Sequence, residues 1–129
     1  MGLDRKYLVL ALVYAVLGMS LGIFMAASHN HGQFVTHAHV LLIGFVVSLI
    51  YGVIHKLWLR EKPPAIAGIQ FIVHQVGAAT VTVGLFLLYG GFVPMERIEP
   101  VPATGSIIVL LGALVMLYMV LKSGAVKRA

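Results

Sequence analysis

The chain has 129 residues, of which 60% are hydrophobic and 10% charged, too few polar residues to coat a water-soluble globule. Its formal net charge of +5 comes from basic residues that neither cluster on a polar face nor interleave with aromatics, which argues against a nucleic-acid partner. With no cysteine, disulfides, thiolate metal sites and the Cys-x-x-Cys-His attachment of c-type haem are excluded together, so any haem is held non-covalently.

A transmembrane helix needs about 20 apolar residues, and four stretches qualify: 7–27, 34–59, 65–89 and 105–121. They use nearly the whole chain, so the expected fold class is all-α, a polytopic membrane protein forming one four-helix transmembrane domain over 1–129. Arg5 and Lys6 precede the first span. Lys56, Arg60 and Lys62 lie at or between the ends of the second and third, and Lys122, Lys127 and Arg128 follow the fourth. By the positive-inside rule both termini and the middle loop are cytoplasmic, as in a multi-pass protein of the inner (plasma) membrane. On the other side Arg97 is flanked by Glu96 and Glu99.

Taken in order, the first span has basic residues before an apolar run ending Met25-Ala26-Ala27, the outline of a cleavable signal. Its run of about 20 residues exceeds the 7 to 15 of a signal core, so a retained span is expected. Gly18 and Gly22 form a G-x-x-x-G that lets a neighbouring helix approach closely, either inside the bundle or between copies. The following outer loop carries His29 and His31. Imidazole suits copper or zinc, but no carboxylate or thiol stands nearby to complete a ligand set, and solvated loop residues or contacts to a haem edge are the alternatives.

The second span opens with His37 and His39. Two residues on a helix are ~200° apart, so the pair faces opposite sides and can serve two sites. Histidines just inside a membrane are costly unless a strong interaction compensates, and ligation of haem iron is one. Satisfaction by backbone or neighbouring side chains is the other. His55, five turns beyond His37, shares its face but lies ~27 Å along the axis and cannot share its metal. His74 in the third span falls in the same cytoplasmic half as His55. Together they are candidates for a second haem, for a proton acceptor from a quinone, or for polar residues satisfied locally.

The His37-Ala38-His39 motif, followed by a branched-aliphatic, glycine-containing helix that ends at Lys56-Leu57-Trp58, resembles the tenth helix of the catalytic subunit of haem-copper oxidases and nitric oxide reductases. Weaker similarity extends to 13–27 and to 68–91, with Phe71, His74 and Gly77. The resemblance implies that His37 and His39 are axial ligands of b-type haem and that the protein is redox-active. It also implies a quinone or redox partner protein. Two departures bear on this. The family's copper ligands, an adjacent His-His pair and a His followed four residues later by Tyr, have no counterpart here, so copper-dependent oxygen reduction is not expected and no catalytic residue is assigned. The family subunit also has twelve helices with approximate threefold symmetry in groups of four, and this chain supplies one such group. A homotrimer resembling the family fold is therefore expected. A haem or metal transport or insertion factor, and a structural partner of a respiratory oxidase, remain as alternatives.

In the third span Pro63 and Pro64 suit a helix start. Gly77 and Gly84 share one face, while Gly68 points to another contact. A proline-bearing outer loop is expected over 92–104. The fourth span, free of charge and histidine, reads as a packing or lipid-facing helix.

Overall fold

The computed structural model of the protein describes residues 1–59 and 65–128, with side chains as far as Gly124. Arg60, Lys62, Pro63 and Pro64 lie outside the described residues, as do the side chains of Lys127 and Arg128. Helix α1 covers Leu3–Ser28. The second rod is composite: α2 (Phe34–His39), a π-helical stretch (Val40–Val47) and α3 (Ser48–Leu57). After it come α4 (Ile66–Tyr89), the short α5 (Met95–Ile98) and α6 (Pro100–Arg128). Four rods, Leu3–Ser28, Phe34–Leu57, Ile66–Tyr89 and Met95–Gly124, are long and apolar enough to cross a membrane. The rod of 24 residues in α4 extends ~36 Å, enough for a hydrocarbon core of ~30 Å.

The rods form two hairpins. Helix α1 packs along the composite second rod, α4 along α6, and the hairpins meet chiefly where α2 and the π-helical stretch lie on α4. Lipid tails are as apolar as leucine, so helices in a membrane are held by close packing and internal hydrogen bonds, and small residues mark where backbones approach. In α1 the buried positions are Tyr7, Ala11, Ala15, Gly18 and Met25, a stripe at helical spacing that is mostly small. A side chain at Gly18 would collide with Leu41, and one at Gly22 would come within 2.9 Å of the His37 ring. The G-x-x-x-G of α1 is thus used inside the bundle.

The α4–α6 hairpin relies on the same device in both directions. A Cβ at Gly77 would meet the Val109 backbone nitrogen at 2.9 Å, one at Gly84 the Pro102 nitrogen at 3.1 Å, and one at Gly105 the Val81 nitrogen at 2.8 Å. Gly77 and Gly84 do share one close helix contact. A Cβ at Gly68 would meet nothing within 4 Å among the described residues, so the second close contact expected there is not made within the described chain. The outer segment also differs from the expected loop: α5 occupies part of it, and α6 begins at Pro100, five residues before the apolar run. Proline is at home in a first helical turn, where its missing N–H would find no partner anyway.

Gly77→Ala should therefore force backbone apart and lower stability by about 1–3 kcal/mol. Gly68→Ala should be neutral or stabilise by up to about 1 kcal/mol, because a helix-interior glycine is replaced without a clash. Unfolding curves in detergent followed by circular dichroism measure both.

Candidate functional site

Helix α2 presents its histidines on opposite flanks. The His37 ring lies in the notch of α1, with Nδ1 2.8 Å from the carbonyl oxygen of Gly18. His39 turns the other way, and its Nδ1 is 2.8 Å from the carbonyl oxygen of Val35, one turn back in its own helix. A carbonyl can only accept, so each Nδ1 carries the proton and each neutral ring offers its lone pair at Nε2. Metal-ligating histidines are oriented in this way, by a second ring nitrogen that donates to a fixed acceptor. Both rings are half-buried, and between their flanks runs an exposed stripe, Phe34, Ala38 and Leu42. The two rings thus border one open face of the bundle.

The start of this helix is fixed by polar side chains inside the membrane-spanning fold. Buried Thr36 donates its hydroxyl to Gln33 Oε1 at 2.6 Å, and Gln33 Nε2 donates to the carbonyl of Phe86 at 3.0 Å. This ties α2 to the end of α4. The next eight residues, Val40–Val47, are π-helical, a form that is rare and is frequent at functional sites. Gly44 in that stretch lies flat against the Tyr14 ring of α1.

His29 and His31 are exposed. His29 has a left-handed backbone, φ 56°, and closes α1, a position usually held by glycine or asparagine. Among the described residues, no three His, Asp or Glu side chains come together as a metal-ligand set.

His55 and His74 occupy a second region, toward the end of the bundle where α1 starts. Tyr7, fully buried, packs against both: its ring centroid is 5.7 Å from that of His55, nearly parallel, and 6.0 Å from that of His74. Tyr51 meets the edge of His74 at 4.9 Å and Phe71 that of Tyr7 at 4.8 Å. The Tyr7 hydroxyl donates to Gln70 Oε1, and Gln70 Nε2 donates to the Gly112 carbonyl at 3.0 Å, joining α1, α4 and α6. His74 Nε2 is 3.0 Å from the Ser48 hydroxyl, at the point where the π-helical stretch gives way to α3. Among the described residues, His55 Nε2 and His74 Nδ1 are buried without a hydrogen-bond partner.

The sequence reading singled out the six histidines but missed Tyr7, Gln33, Thr36, Ser48 and Gln70. Tyr7, Thr36, Ser48 and Gln70 are polar residues inside the apolar spans, where a polar side chain calls for a partner, and Gln33 stands in the loop just before the second span. Comparison of the chain with family models, characterised proteins and solved structures finds no match.

Removing the Tyr7 hydroxyl leaves Gln70 Oε1 buried and unpaired. Tyr7→Phe should cost about 1–3 kcal/mol, read from detergent unfolding curves. An exposed change on the same helix, Leu12→Val, should stay within about 0.5 kcal/mol.

Proposed function

We propose that the protein is a membrane haem-binding protein, with b-type haem ligated through Nε2 of His37 and His39, acting in electron transfer without a copper centre. The observation that carries this reading is the pair of Nδ1 bonds to backbone carbonyls at 2.8 Å, which orient both rings and leave each Nε2 with its lone pair available. Bound haem would supply a one-electron redox centre, its potential set by axial ligation and burial. The chain's own part is to hold the rings in one orientation. The Gly22 notch seats His37, and the Gln33–Thr36 bonds pin the helix that carries both.

One chain cannot bracket one haem with these two residues, since they leave the helix ~200° apart. A closed ring of three copies repeats a single heterologous contact, in which His37 of one chain faces His39 of the next across a haem. The open face between the two rings favours that arrangement, and the use of Gly18 and Gly22 within the chain leaves the face free for it. An inner-membrane location with cytoplasmic termini follows from the distribution of basic residues. His55 and His74 are left out of the haem set, because a haem ligated by both would have to displace the buried Tyr7 ring.

The purified protein should show the sharp, reducible bands of six-coordinate b-type haem, and metal analysis should find iron without matching copper. Either His37→Ala or His39→Ala should abolish or shift those bands and His29→Ala should not. Gly22→Leu, which drives a side chain into the His37 ring, should broaden or weaken them. A wild-type spectrum in the double variant His37→Ala, His39→Ala contradicts the proposal. Haem that is substoichiometric and exchangeable favours a transport or insertion factor, and colourless protein favours a structural partner.

A further inference from the structure

At the end of the bundle where α1 starts, α1 and α3 enclose a groove of about 510 Å³ that opens sideways. Its floor is set by Gly52, where a Cβ would meet the Asp4 carbonyl oxygen at 3.2 Å and the Tyr7 Cβ at 3.3 Å. The lining changes character with depth. Arg5 and Lys56 stand at the mouth with Asp4. Leu8 and Val53 follow one turn further in, and Leu49 a turn beyond that. The mouth lies near the first residues of one membrane-crossing helix and the last of another, hence at the level where hydrocarbon gives way to headgroups.

We infer that this groove binds an anionic phospholipid, the phosphate between Arg5 and Lys56 and an acyl chain along Leu8, Val53 and Leu49. Basic recesses between membrane helices recognise anionic headgroups in this way. Among the described residues that line the groove, the charge is two cations, Arg5 and Lys56, against one carboxylate, Asp4. The one ion pair there among the described residues is loose: Lys56 Nζ is 3.9 Å from Asp4 Oδ2, and the Lys56 side chain is 74% exposed. Arg5 is exposed as well, so both cations can turn to a phosphate without uncovering buried surface.

Native mass spectrometry of the full-length protein, titrated with phosphatidylglycerol or phosphatidylcholine of identical acyl chains, tests this. Wild type should retain phosphatidylglycerol preferentially, by about fivefold for each cation engaged, and high salt should erode the preference. Arg5→Gln, Lys56→Gln should abolish it. Asp4→Asn, which frees Lys56 from its carboxylate partner, should increase it. Lys122→Gln, which removes an exposed cation of α6 outside the groove, should leave it unchanged. Equal retention of the two lipids by wild type overturns the inference. So does a preference that survives in the double variant, or one that Lys122→Gln reduces as much.

Discussion

Inside a membrane no water is present to satisfy a polar group, so every N–H, carbonyl and polar side chain has to find its partner within the protein. The fold follows from that constraint. It makes the backbone helical throughout the spans and turns each isolated polar side chain into a tie between helices. Gln33 and Thr36 bind α2 to α4, Tyr7 and Gln70 bind α1 to α4 and α6, and Ser48 meets His74 across the bundle. Glycine supplies the other half of the cohesion, by letting backbones approach where hydrophobicity gives no preference for protein over lipid. Where a polar atom is left without a partner, something else is needed. Among the described residues two ring nitrogens stand out on that test, His55 Nε2 and His74 Nδ1 in the interior.

The four spans were legible because composition alone determines them. The pairing of Gly77 with Gly84 was legible from helical spacing. Other features were not. The start of α6 at Pro100 was hidden because prolines and glutamates in 92–104 read as loop, although proline is favoured in a first turn. The π-helical stretch was invisible, since Val-Leu-Leu-Ile-Gly-Phe-Val-Val carries no local signal that separates one helical hydrogen-bond pattern from another. Gly68 misled because glycine in a membrane helix suggests a contact whether or not a neighbour is there. The six histidines drew attention by type, but the atoms that hold them, the Gly18 and Val35 carbonyls and the Ser48 hydroxyl, depend on tertiary packing.

The two histidine regions differ in kind. His37 and His39 are each held by one backbone bond and half-buried beside an exposed apolar stripe. His55 and His74 are enclosed by aromatic rings. Their unpaired nitrogens are a local cost of about 1–3 kcal/mol each, borne in a cluster that also contains the best-connected polar ties in the molecule. The interior cluster joins three helices through Tyr7 and Gln70, and the outer pair sits on a helix pinned at its start by Gln33 and Thr36.

The central claim joins ligation to assembly: a haem between His37 of one chain and His39 of the next requires a ring of copies, and losing either ligand should undo both. Native mass spectrometry of the detergent-solubilised protein addresses that directly. Three chains carrying three haems, falling to haem-free monomers in His39→Ala, is the predicted result. A monomer that keeps a full complement of haem would contradict it.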